Sequence, residues 1–181
     1  MSLLRSSFDS YLESVKEPKL TDELTKLASE VGSGLETQGM RLATCESCTG
    51  GWVAKVITDT AGSSNWFDCG FVTYSNKSKE EMLGVNPKTL QLFGAVSETV
   101  VSEMVKGALE RSSADIALAI SGIAGPDGGT ADKPVGTVWF ALGFRDLEIN
   151  TSLKIFSGTR DEVRQQAVLH ALTGVSRKLN G

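Results

Sequence analysis

The run Asp115-Ile116-Ala117-Leu118-Ala119-Ile120 constrains the fold more than any other stretch of the chain. A strand made of unbroken apolar residues has no polar face to show to water. It must therefore be covered on both sides, as strands are in the parallel sheets of α/β proteins. The patterns around it agree. Arg41 to Glu46 reads as a short buried strand, and a helix follows over 50–58. Phe67 to Ser75 is a β-branched and aromatic strand ending in Tyr74. Helical segments follow from Lys77 to Leu83, from Pro87, and behind Ser97, where Val100, Val101, Met104, Val105, Ala108 and Leu109 form one stripe. Val135–Phe144 and Glu148–Phe156 are joined by Arg145-Asp146-Leu147, a turn short enough to make them an antiparallel pair. Strands separated by helices, with one closing hairpin, give a mixed sheet covered on both faces.

Two helices frame this set. Thr21 is read as the cap of the first, with Asp22 and Glu23 in its first turn and Leu24, Leu27, Ala28, Val31 and Leu35 as its buried stripe. Thr159-Arg160-Asp161-Glu162 reads as a capping box that opens the last helix, to about Leu179. Residues 1–19 stand apart as an N-terminal extension, and residues 20–181 as a single domain. Within the extension, Phe8, Tyr11, Leu12 and Val15 have the spacing of a short amphipathic helix that ends before Pro18.

Bulk properties narrow the function. With 40% hydrophobic and 22% charged residues, the 181-residue chain suits one globular domain with a sizeable core. A net charge of −4 and the lack of a Lys/Arg run argue against a nucleic-acid partner. No apolar run approaches the roughly 20 residues of a membrane helix. No secretory leader is expected, and three cysteines do not make a disulfide framework. The cytoplasm is the expected compartment.

Chemistry concentrates at Thr44-Cys45-Glu46-Ser47-Cys48-Thr49-Gly50-Gly51. A hydroxyl residue followed by two glycines, between a strand and a helix, has the layout of a tight turn with N–H groups exposed at the helix start. Ser47 there is either a nucleophile beside donors for an oxyanion, or part of a plain turn with Thr49 as N-cap. Ligands of open α/β sheets bind beyond the carboxyl ends of the strands, and three strands deliver hydroxyls to such ends: Ser47, Tyr74 and Ser121. A serine nucleophile needs a base. The one histidine, His170, lies inside the last helix, which leaves a lysine whose pKa falls on desolvation. Lys77 and Lys79 both follow Tyr74, and the residues alone do not separate them. Cys45-x-x-Cys48 also spells a redox or zinc pattern, but zinc would need two further ligands at fitting spacing, and Cys69 with His170 is a poor set.

Glu46-Ser47-Cys48-Thr49-Gly50-Gly51 resembles the signature of the CinA C-terminal domain family, whose catalytic members are nicotinamide mononucleotide deamidases. Gly70–Asn76, Gly94–Ser97, Ser121–Pro126 and Lys133–Val138 resemble further family blocks, in family order, so that the resemblance runs from about Leu20 to Leu179. It implies a three-layer α/β/α sandwich on a five-stranded mixed sheet, and a homodimer. It also implies a metal-free amidohydrolase with no cofactor, turning nicotinamide mononucleotide into nicotinate mononucleotide and ammonia in pyridine-nucleotide recycling. The family's Tyr-Ser-Asn-x-x-Lys spacing selects Lys79 over Lys77. Ser47, Lys79, Tyr74 and Ser121 are then the expected catalytic set. Thr49, Gly50, Gly51, Gly122, Gly125 and Arg160 are the expected substrate-binding set. The alternative is a catalytically silent nucleotide- or partner-binding module on the same fold.

Overall fold

The computed structural model describes residues 18–180. In chain order its elements are α1 (Pro18–Gln38), β1 (Leu42–Glu46), α2 (Trp52–Thr58), β2 (Phe67–Val72), α3 (Asn76–Leu83), α4 (Pro87–Phe93), α5 (Glu98–Glu110), β3 (Ile116–Gly122), β4 (Thr137–Phe144), β5 (Ile149–Ile155) and α6 (Arg160–Asn180), with a 3-10 turn at Ser63–Asn65. The strands lie in the order β2-β1-β3-β4-β5. β1 is parallel to β2 and to β3, while β3, β4 and β5 are antiparallel in succession. The expected five-stranded mixed sheet is present. The short helix read over residues 8–15 lies outside the described residues.

Every second residue of a strand faces the same side, and here the two sides differ in bulk. Leu42 on β1 and Ile116, Leu118 and Ile120 on β3 share a core with Val138 and Phe140, under α1, α2 and α6. Ala43 and Cys45 on β1, Ala117 and Ala119 on β3, and Ala141 on β4 face α3, α4 and α5. Small residues on that second face let α5 lie close to the sheet, and its stripe from Val100 to Leu109 is buried there as the spacing predicts. The same alternation carries Ser121 on β3, and Ser47 just past the end of β1, to the α3–α5 side. It carries Glu46 to the other.

Three element limits differ from the sequence reading. α1 is already helical at Pro18, upstream of Thr21, so that Thr21 is not its cap. β2 stops at Val72, so that Tyr74 stands in the loop beyond it. α2 begins at Trp52 behind Gly51, whose φ is 93°, and Thr49 is not its N-cap.

The second layer is held tightly where α5 crosses α3. A Cβ added at Gly107 would stand 1.8 Å from the carbonyl oxygen of Leu83, which is backbone and has little freedom to yield. On α6, by contrast, a Cβ at Gly174 would meet nothing within 4 Å. Gly107→Ala is therefore expected to destabilise the protein by about 3 kcal/mol or more, and Gly174→Ala to stabilise it by up to about 1 kcal/mol. Urea unfolding midpoints measure both, and equal midpoints would contradict this packing.

Candidate active site

At the carboxyl end of β1 the Lys79 ammonium group donates to two oxygens, Ser47 Oγ at 3.0 Å and the Thr73 carbonyl at 2.7 Å. Its position follows from the chain. Thr73 N–H donates to the Glu46 carbonyl, which extends the β1–β2 register by one step and brings Thr73 beside Ser47. Ser75 then caps α3 in a capping box with Ser78, and this fixes the helix phase. In that phase Lys79 points inward and is 1% exposed. Lys77, two residues earlier, points out to pair with Glu81 at 3.5 Å on the surface.

Burial decides the state of Lys79. Desolvation lowers its pKa from 10.5 to about 8, and no arginine contributes to the shift. Part of the amine is therefore neutral near physiological pH. A neutral amine can keep donating to Thr73 O while its lone pair accepts the Ser47 hydroxyl proton. That shift corresponds to a preference for the neutral form of about 3 kcal/mol relative to water.

Glu46 builds the turn that carries Ser47. Its carboxylate is 1% exposed and accepts the N–H groups of Gly51 at 3.0 Å, Val53 at 3.1 Å and Ala54 at 2.9 Å. Three charge-assisted bonds compensate for burying the carboxylate, and they do the work that a side-chain cap at Thr49 would have done. The Gly50 N–H closes the turn on the Ser47 carbonyl at 3.0 Å. The Gly50 and Gly51 amides are thus committed inside the turn. The Thr49 hydroxyl is buried and has no partner among the described residues.

Around this pair the other expected residues are placed as follows. Ser121 lies on β3 beside Ser47 and donates its hydroxyl to the Ala95 carbonyl at 2.8 Å. Gly122 is held where a Cβ would stand 2.7 Å from Val138. Tyr74 is exposed at the rim, and Arg160 reaches across to it. One guanidinium nitrogen of Arg160 donates to Tyr74 Oη at 2.9 Å and another to the Gly125 carbonyl at 2.7 Å. Arg160 thereby ties the 123–134 loop to the segment after β2.

His170 packs against Phe140 with ring centroids 4.6 Å apart and the rings tilted by 60°, and burial and neighbouring cations lower its pKa. It makes no contact with Ser47. Cys45 and Cys48 are free and buried, and burial pushes both thiols up, Cys48 to about 11. They stay protonated, unlike the low-pKa thiolate of a redox pair. Among the described residues no three His, Cys, Asp or Glu side chains gather as metal ligands do.

The model of the CinA C-terminal domain matches residues 24–179. The chain belongs to the CinA C-terminal domain family. It is 58% identical over 154 residues to the nicotinamide-nucleotide amidohydrolase PncC of Escherichia coli K12, spanning 84% of this chain and 93% of that protein. It is 47% identical to PncC of Pseudomonas putida over 154 residues, 85% of this chain and 96% of the relative. Among solved structures it is similar to the competence/damage inducible protein CihA of Agrobacterium tumefaciens, with a TM-score of 0.84 and 42% identity over 88% of this chain and 96% of that one.

Two roles at this CinA domain site escape a reading by sequence, those of Glu46 and Arg164 on the backbone of the turn. Glu46 ends an apolar strand just before two glycines, and a carboxylate there is a signal for capped amides. Arg164 donates to the Cys48 carbonyl at 3.1 Å and to the Thr49 carbonyl at 3.0 Å. Nothing in its sequence context separates it from Arg160.

The pKa of Lys79 gives a signed expectation for any reaction that uses it as a base. The neutral fraction rises with pH and is complete above the folded-state value. The rate of the wild type is expected to climb from pH 6.5 and level off above about 8. Lys79→Met is expected to remove most of kcat and flatten that rise, while Lys77→Met leaves both unchanged. The reverse pattern would reassign the base.

Proposed function

We propose that the protein is a nicotinamide-nucleotide amidohydrolase that converts nicotinamide mononucleotide to nicotinate mononucleotide and ammonia, and so returns the nucleotide to pyridine-nucleotide recycling. The carrying observation is the buried Lys79 amine 3.0 Å from Ser47 Oγ, with its pKa near 8. The PncC relatives carry this activity in their names.

The reaction is written with Ser47 as nucleophile and Lys79 as base. Ser47 Oγ bonds to the carboxamide carbon as its proton passes to Lys79 Nζ, and negative charge gathers on the carbonyl oxygen. The C–N bond then breaks. The leaving nitrogen takes the proton from Lys79 and departs as ammonia, which leaves nicotinate as an ester on Ser47. Water attacks that ester, gives a proton to Lys79 and releases the carboxylic acid. Ser47 recovers its hydrogen from Lys79. Ser121 keeps the segment around Ala95 in place beside Ser47. The exposed Tyr74 and Arg160 stand at the mouth, where the remaining guanidinium donors suit the substrate phosphate.

Two further parts of the reading rest on separate observations. Three free thiols suit a reducing compartment such as the cytoplasm. Leu92 and Phe93 at the end of α4, and Leu153 and Ile155 on the edge strand β5, are exposed apolar side chains that suit a homodimer contact.

The decisive assay is ammonia release from nicotinamide mononucleotide by protein stripped of metal. Wild type should turn over, and Ser47→Ala should lose at least about a thousandfold in kcat while its unfolding midpoint stays unchanged. Binding of the nucleotide without ammonia release would replace this reading with a silent binding module.

A further inference from the structure

Amide hydrolysis places negative charge on the carbonyl oxygen, so the site needs donors aimed at it. In the turn after Ser47 most amides are already occupied. Gly50 N–H goes to the Ser47 carbonyl, Gly51 N–H to Glu46, and Trp52 N–H to the Thr49 carbonyl at 3.3 Å. Ser47 N–H goes to the Ile120 carbonyl at 3.0 Å. Among the described residues, the amides of Cys48 and Thr49 donate to no carbonyl and to no other side chain.

Arg164 determines where one of these amides points. Its Nε and Nη2 hold the carbonyls of Cys48 and Thr49 from the α6 side. Its guanidinium lies 5.0 Å from the centroid of the Trp52 ring, and Asp161 steadies it from 3.8 Å. A trans peptide is planar, and its C=O and the next N–H point in opposite directions. Drawing the Cys48 carbonyl toward α6 therefore turns the Thr49 N–H away from α6. α6 belongs to the layer under Leu118 and Phe140, whereas Lys79 enters from α3 in the opposite layer. The turned amide thus faces from the first layer toward the second, where the Ser47 hydroxyl meets the Lys79 amine.

We propose that Arg164 is a positioning residue: it fixes the Cys48–Thr49 peptide so that the Thr49 N–H donates to the oxyanion formed when Ser47 attacks. The assignment rests on the amide-hydrolysis reading above. It separates Arg160 from Arg164 on α6, since Arg160 reaches out to Tyr74 and Gly125 at the mouth whereas Arg164 spends its donors on the carbonyls of the Ser47 turn. Glu46 grips the same turn from its far end, so the peptide is held at both sides of the one amide that must stay available. Of the two long cationic side chains only a guanidinium presents a rigid fork of coplanar donors to adjacent carbonyls, and a lysine there keeps the charge but loses the fork.

The test compares wild type, Arg164→Lys and Arg164→Met, the methionine retaining apolar packing on Trp52. For both variants kcat on nicotinamide mononucleotide is expected to fall by about 10- to 100-fold. KM should stay within about twofold, and the pH midpoint of the rate should remain near 8, because Lys79 is untouched. A merely structural loss would move the unfolding midpoint in step with kcat, and Arg164→Lys is expected to leave that midpoint within a few degrees. Crystal structures of wild type and Arg164→Met give a readout free of the substrate. The Cys48–Thr49 peptide is expected to face Ser47 Oγ with its N–H in the wild type and to be rotated in the variant. A raised KM with kcat intact would make Arg164 a substrate ligand and overturn the proposal, as would an unrotated peptide. If the wild type is inert toward the nucleotide, the functional reading falls, and the peptide orientation still decides the role of Arg164.

Discussion

A lysine amine buried between one carbonyl and one serine hydroxyl is the contact on which the rest of this structure depends. A primary amine at 1% exposure is costly to keep charged, and no carboxylate within reach of Lys79 relieves that cost. Its answer is a lowered pKa and two short hydrogen bonds. Both acceptors are placed by backbone. The Thr73 carbonyl follows from the parallel register of β1 and β2, and Ser47 from the turn that ends β1. A one-residue slip in that pairing would separate the amine from its acceptors, so sheet register and site chemistry are one constraint.

Alternation along the central strands explains why the charged groups do not collide. Glu46 and Ser47 are neighbours in sequence, yet one side chain points to the α2 side and the other to the α3 side. Glu46 neutralises backbone N–H groups at one end of the turn, while Lys79 sits across the sheet with the hydroxyl. A carboxylate beside the amine would hold the lysine protonated and remove its use as a base. The pleat keeps them apart. The same parity aligns Ser121 with Ser47, and the small residues Ala43, Cys45, Ala117 and Ala119 on that face give the α3–α5 layer its close approach.

Most of the fold was legible in the sequence, because long apolar runs and periodic stripes report burial directly. The unbroken run from Ile116 to Ile120, the stripe of α5 and the capping box at Thr159 all stand where periodicity put them. Element ends were less legible. Thr73 and Tyr74 have strand propensity, yet β2 ends at Val72, because β1 ends at Glu46 and the Thr73 N–H bond to the Glu46 carbonyl at 2.8 Å is the last step of their pairing. Within the site, a lysine two residues from another can be chosen by helix phase only once the cap is known, and Ser75 supplies that cap. Glu46 and Arg164 act on backbone groups. Such roles leave little mark on composition or spacing, since any turn offers amides and carbonyls, and only folding shows which are left over.

The most direct measurement is the ionisation of Lys79 itself, by NMR titration of its side-chain nitrogen and adjacent methylene in protein carrying labelled lysine. Lys79→Met identifies the resonance by its loss. A midpoint near 8 is expected. A midpoint at the ordinary 10.5 would contradict the account, for the amine would then be fully charged at neutral pH and unable to take the proton of Ser47.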